Sequence, residues 1–346
     1  VATYDIDPSG GGDYLTVEAC LNGGSVANSD TLECYRGDIG GFADIDYEVL
    51  IRDAGGDGSE RHDNTYDGGF SANATYADQD TSGDFWWLSG MANTSIQGIA
   101  FLGNSFNNNS KEHIHIEDSL DEIAIRKCLF ITAQTEGHAV FVDLESGTYS
   151  GLYIWSNTFY QSGISSNRNA LRIKVNDTAI KCVLNNLRLV GNTIAGEYKY
   201  GIDLRADGTF GHDDSEINTD YFQNNLVVEA TDGTLRVTEG NAWASITLTN
   251  CEYNGWDSDD TGDWGTYSNN DQVNLTPSNE LEDPDTNWDL KNGATCIDAG
   301  TASVAAFGTD IHDDTRDLPW DIGSDYSDWE QTTTPIPLLM SGRILP

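Results

Sequence analysis

Six times along this chain one spelling returns: apolar, any, apolar, any, any, Asn or Cys, any, apolar. It reads Ile99-Phe101-Asn104-Phe106, Ile123-Ile125-Cys128-Phe130 and Leu152-Ile154-Asn157-Phe159. It continues as Leu187-Leu189-Asn192-Ile194, Thr219-Tyr221-Asn224-Leu226 and Ile246-Leu248-Cys251-Tyr253. The Asn/Cys positions lie 24, 29, 35, 32 and 27 residues apart. Strand-type alternation at that period marks a solenoid. The first two apolar residues of each repeat, two apart, face inward on one strand. The chain then corners, and a small polar side chain turns in. Stacked coils place these side chains in one column, Asn104, Cys128, Asn157, Asn192, Asn224 and Cys251, where each amide can bond its neighbours.

A second strand follows each corner, with inward pairs Ile114/Ile116, Val140/Val142, Leu171/Ile173, Ile202/Leu204, Leu235/Val237 and Val273/Leu275. Two strands per coil in fixed order describe an all-β chain, a single parallel β-helix. The right hand follows from the rule for parallel crossovers. An antiparallel β-sandwich also has short alternating strands, but it gives no reason for an Asn at the same step of each repeat.

The start, Gly10-Gly11-Gly12-Asp13-Tyr14-Leu15-Thr16-Val17-Glu18-Ala19-Cys20-Leu21, reads as a short amphipathic helix. Leu15 or Thr16 begins it and Gly23-Gly24 ends it. Near the other end, Cys296-Ile297-Asp298-Ala299-Gly300-Thr301 precedes Asp310-Ile311, Arg316 and Asp321-Ile322-Gly323. Together with the repeat, these segments resemble the pectin-lyase-like right-handed β-helix superfamily, and within it phage and marine bacterial surface proteins. The resemblance implies an N-terminal cap over 1–30, a β-helix over 31–295 and an irregular C-terminal cap over 296–331. Family members usually close on Arg-Pro and Asp-Ile-Gly-Ala; this chain has Arg316-Asp317-Leu318-Pro319 and Ser324. The superfamily holds lyases, hydrolases, adhesins and phage spikes, so the fold alone does not give function.

Acidic residues number 57 against 17 basic, for a net charge of −40. Such a chain repels nucleic acid and anionic membrane, which excludes both as partners. It suits salty water, where screening reduces self-repulsion. No apolar run reaches the roughly 18 residues of a membrane span. The chain opens at Val1 without a basic and apolar leader, which leaves either a removed signal or a lost initiator Met. Of the six cysteines, Cys128 and Cys251 sit in non-adjacent coils and should not bridge, while Cys20 and Cys34 can meet near the cap. Mostly free thiols favour assembly inside a cell.

The outward positions of the second strand form two columns: His115, Phe141, Arg172, Asp203, Arg236, Asn274 and Glu117, Asp143, Lys174, Arg205, Thr238, Thr276. Four of the 17 basic residues fall on three consecutive coils of this face. The resemblance implies one reading, a groove for an anionic glycan, since superfamily lyases bind acidic sugar chains on an exposed face of this kind. The resemblance adds a lyase reading, with Arg172, Lys174, Asp203, Arg205 and Arg236 as the catalytic set. The other reading is a structural ladder of cross-strand ion pairs, in which Arg205 lacks an acid beside it in its own column.

Two loops share the spelling Asp-x-Asp-x-Ser/Thr-Gly-Asp, at Asp78, Asp80, Asp84 and at Asp257, Asp259, Asp263. This is the first half of an EF-hand-type calcium loop without its closing Glu, so the readings are Ca2+ or plain solvated turns. His113 and His115 lack a third ligand and read as surface histidines. Trp155 is a candidate for stacking on sugar rings. The tail 332–346 carries Pro335-Ile336-Pro337-Leu338-Leu339-Met340, an apolar segment that either folds back or docks on another subunit or scaffold.

The leading expectation is a non-enzymatic structural or surface protein, in particular a phage virion component such as a fibre, spike or capsid-surface protein, with glycan as a candidate ligand. It would lie in a virion or outside the cell and associate with itself or a scaffold through its tail. The rivals are a secreted calcium-assisted polysaccharide lyase on an acidic glycan, and a bacterial adhesin or filament subunit.

Overall fold

The computed structural model describes residues 1–54, 62, 64, 74–79, 86–103, 112–132, 137–145, 147–162, 168–177, 181–208, 215–240, 244–257, 268, 270–301, 307, 309–312, 314–316 and 319–325. These wind into a parallel β-solenoid of about 6 turns. Each full coil carries three strands, one more than the spacing suggested. In the coil built on Cys128, the end of the strand Glu112–Arg126 forms face one, Leu129–Thr132 face two and His138–Glu145 face three. Face two is an 8-stranded sheet, and faces one and three join through the bent strand Glu112–Arg126 into a 16-stranded sheet.

The inward column of face three runs Ile114, Val140, Leu171, Ile202, Leu235 in direct register, as does the next, Ile116, Val142, Ile173, Leu204, Val237. Val273 and Leu275, expected to continue these columns, lie outside any strand, and Val273 is exposed. On face two the inward side chains Phe101, Phe130 and Phe159 stack with ring centroids 5.0 and 4.7 Å apart. Near-parallel rings on adjacent rungs add to the area they bury.

The corner between faces one and two explains the Asn. Lys127, Ser156, Gly191, Asn224 and Tyr253 each turn through the left-handed region, with φ of 54, 51, 60, 57 and 61°. The residue after each turns inward. The backbone N–H of Cys128 donates to Asn157 Oδ1 at 2.9 Å, and that of Asn157 to Asn192 Oδ1 at 3.2 Å. Asn192 N–H donates to Asn225 Oδ1 at 3.2 Å, and Asn225 N–H to Asn254 Oδ1 at 3.0 Å. Each amide nitrogen returns a bond to a backbone carbonyl of the preceding coil, as Asn192 Nδ2 does to Ile154. The column thus supplies donors and acceptors to corner backbone that the sheets leave unpaired.

Three members expected in this column are corrected. A one-residue register shift at Asp220 moves the column from Asn224 to Asn225. The shift carries on, so Cys251 pairs with Phe222 on face one and Asn254 takes the corner. In the first repeat Ile96 pairs with Ile125 and Phe101 with Phe130, so the counterpart of Cys128 is Ile99, and Asn104 lies outside the described residues.

The helix Val17–Asn22 is capped by Thr16, whose Oγ1 accepts from Ala19 N–H at 3.1 Å, and ends at Gly23. It buries Val17, Cys20 and Leu21 in the same core as Ile6 and Leu32. All six cysteines are free, Cys20 and Cys34 included.

The described residues of 275–325 pack along the outer side of face two, with Phe307 and Trp320 reaching Trp155 and Val190 on face one. The strands of face two are buried on both sides, so outward Leu129, Ile131 and Ala195 join Leu281, Trp288 and Ile322 in a second apolar cluster. Buried Arg316 donates to the carbonyls of Gly323 at 3.0 Å and Ser324 at 2.9 Å. Ser324 Oγ reaches Thr193 Oγ1 at 3.0 Å. The closing motif of the sequence is therefore a self-bonded strap on the solenoid's flank.

Candidate functional site: the outer surface of face three

The pleat of face three sends alternate residues outward, and parallel register stacks them at steps of about 4.8 Å. One outward column runs Trp87, His115, Phe141, Arg172, Asp203, Arg236. Its neighbour runs Glu117, Asp143, Lys174, Arg205, Thr238. Asn274 and Thr276 belong to neither, since that segment leaves the sheet.

The first column has an aromatic half and a cationic half. The Trp87 and His115 rings stack at 5.7 Å, and His115 meets the edge of Phe141 at 5.1 Å. Arg172 lies over the Phe141 ring at 5.3 Å and Arg236 over Tyr200 at 4.2 Å. Both are cation–π distances.

Asp203 is fully buried and gathers the cations. Arg236 Nε donates to its Oδ1 at 2.8 Å, Arg205 Nε to Oδ2 at 3.0 Å and Asn169 Nδ2 to Oδ2 at 2.9 Å. Arg172 Nε stands 3.7 Å from the same oxygen. Arg205, whose neighbours in its own column are Lys174 and Thr238, thus crosses to the acid two residues before it. Lys174 pairs with Asp143 at 3.3 Å. Burial works against the charge of Arg236, but the bonds and charge of Asp203 outweigh it and hold the guanidinium above its usual value. His138 lies 3.1 Å from Arg172, and burial with that cation pushes its imidazole down to about 3.

Chemically this is a set of fixed donors. Three guanidiniums surround one carboxylate, which leaves a surplus of positive charge. The side chains of Arg172, Arg205 and Arg236 are 24, 25 and 15% exposed, so each keeps some surface toward solvent. Asp203 is enclosed and already bonded, so it cannot reach a substrate proton.

The remaining expected residues fall elsewhere. Asp78 ends a face-two strand, and Asp257 accepts from Glu229 N–H. Asp80, Asp84, Asp259 and Asp263 lie outside the described residues, as does the tail. His113 is buried, not superficial: it bonds Gln79 and Thr132, and burial pushes it down to about 3. Trp155 is covered by Phe307 at 5.1 Å and offers no ring to a sugar.

A second polar cluster carried no signal in the sequence. His312 Nε2 lies 3.0 Å from Asp289 Oδ1 and 3.8 Å from Asp325 Oδ1. Burial lowers its affinity for a proton, but Asp289 outweighs this and the imidazole rises to about 9. The three residues have no motif spacing, and only the flank strap brings them together.

No protein-family profile, curated protein or solved structure matches the chain. Fold and site define a parallel β-solenoid with a mixed aromatic and arginine surface.

Proposed function

We propose that this chain is a non-enzymatic surface β-solenoid whose third face holds an anionic glycan, working as a virion component such as a fibre, spike or capsid-surface protein. The carrying observation is the outward column in which Trp87, His115 and Phe141 adjoin Arg172, Asp203 and Arg236. Aromatic faces stack on sugar rings, and guanidinium forks take carboxylate or sulfate oxygens. In a chain of net charge −40, this surplus of fixed cations is a place where an anion can settle. A lyase needs a base that gives up its proton, whereas Asp203 makes Arg236 harder to deprotonate. That favours binding over turnover, against the reading of the pectin-lyase-like resemblance.

The six free thiols, five of them buried, suit assembly in a reducing compartment, as for a virion built inside a cell. The apolar tail 332–346 is the proposed docking segment for a second copy or a scaffold. Calorimetric titration with uronate oligosaccharides tests the glycan reading. Binding that weakens about 10-fold or more in Arg172→Ala and with added salt is expected. No heat with any uronate or sulfated glycan would remove it. Deleting residues 332–346 should leave the coils folded and abolish incorporation into the particle or oligomer.

A further inference from the structure

We infer that Asp289, His312 and Asp325 hold a divalent transition ion of the zinc type, with the Asn64 amide oxygen as a further ligand, and that the ion pins the flank strap to the solenoid.

The three side chains each offer one ligand atom, and all these atoms lie within 4.8 Å of one another. The imidazole nitrogen stands 3.0 Å from one carboxylate oxygen and 3.8 Å from the other. Ligand atoms of a tetrahedral ion with bonds of about 2.0–2.1 Å are roughly 3.3 Å apart, so small shifts suffice. One imidazole with two carboxylates is a borderline donor set, suited to zinc-like ions more than to calcium, which takes an all-oxygen shell.

An independent observation points to a cation. Asn64 is fully buried, and its Nδ2 donates to Asp289 Oδ1 at 2.8 Å. The oxygen of that same amide has no hydrogen-bond partner among the described residues. A buried acceptor without a donor keeps its full desolvation penalty. A proton on His312 can bridge the two carboxylates but leaves this oxygen unsatisfied; a metal ion can take it as a ligand. The supporting bonds are in place. Leu290 N–H donates to Asp325 Oδ2 at 3.0 Å, which leaves Oδ1 for the ion. His312 N–H donates to Asp310 Oδ1 at 2.9 Å and fixes the turn that carries the imidazole. Such outer bonds orient metal ligands.

The ligands come from segments far apart in sequence. Asn64 lies between the strands Val49–Asp53 and Thr75–Asp78, Asp289 in the hairpin strand Asn287–Leu290, and His312 and Asp325 in the strap. A bound ion cross-links them and closes long loops, which raises stability by mass action.

The test uses the full chain, stripped with chelator and dialysed. Calorimetry with zinc chloride should give one site per chain and a rise in Tm, while calcium chloride at equal concentration gives neither. His312→Ala and Asp325→Asn should each weaken zinc binding at least about 10-fold. Asn64→Ser, which keeps a small polar group, should weaken it while circular dichroism still reports a folded solenoid. Wild-type protein that takes up no zinc would overturn the proposal whatever the variants do. So would zinc binding unchanged in folded His312→Gln, or a preference for calcium.

Discussion

Asn224 and Asn225 are neighbours in sequence and turn to opposite sides of the solenoid wall. Asn225 points in and donates its amide to Leu189 O at 2.9 Å and to Asn254 Oδ1 at 3.1 Å. Asn224 adopts the left-handed corner conformation, and its side chain accepts from Thr301 N–H at 3.0 Å and donates to Thr301 O at 2.7 Å. One Asn joins coil to coil, and the other ties the flank strap to the corner.

Asn225→Leu should therefore destabilise the whole solenoid by about 1–3 kcal/mol, through unpaired backbone and added bulk. Asn224→Gly keeps the corner conformation open and loses only the strap bonds. Its global denaturation midpoint should move less, while protease cutting within 296–325 speeds up. Equal midpoint shifts without added cutting would contradict the division of roles.

The same pair shows how far the sequence reads. The period, the first five inward pairs of face three and the helix cap at Thr16 were legible, because alternation and capping are local. The register of the column past Asp220 was not. A bulge leaves no mark when two Asn stand together and both satisfy the spelling. Face two was also missed as a separate strand. Its outward Leu129 and Ile131 are apolar because the hairpin and strap that follow the solenoid cover them, so the alternation that marks a half-buried strand is absent. Arg172, Asp203 and Arg236 were readable as one column from spacing alone. The turn of Arg205 toward Asp203 depends on side-chain direction and was not. The Asp289, His312, Asp325 cluster depends on long-range folding of the strap.

Asp203→Asn should be far more damaging than any single Arg replacement on that face. It leaves three partly buried guanidiniums facing one another, a loss on the order of 3–5 kcal/mol for a broken buried network. Arg205→Ala, at a rim that water reaches, should cost about 1 kcal/mol or less. Urea titrations of the two variants check the order, and equal losses would mean that Asp203 is not the hub.

Acid should weaken the fold through His113 and His138. Both are neutral in the folded chain, with values near 3 set first by burial, against an unfolded value near 6.5. As pH falls below about 6.5 the unfolded chain takes up protons that the folded chain refuses, so stability drops from there toward pH 3. His138→Gln should flatten part of this slope, measured as Tm between pH 7 and pH 4. An unchanged slope in His138→Gln and in His113→Gln would contradict the assignment.

Removing residues 275–346 should uncover the outer side of face two and leave the inner column intact. Strand content by circular dichroism should persist while a hydrophobic dye binds and the protein self-associates. A soluble, dye-silent product would show that the segment from Leu275 onward is not what covers Leu129 and Ile131.

The central claim is that face three binds without turning over. The most direct measurement follows the ultraviolet absorbance of the unsaturated sugar that a lyase releases, over hours, with alginate, pectate and other uronate polymers and calcium present. A flat trace with wild-type protein at every polymer is the predicted result. A rising trace that disappears in Arg205→Ala would contradict the account and make the arginine face a catalytic one.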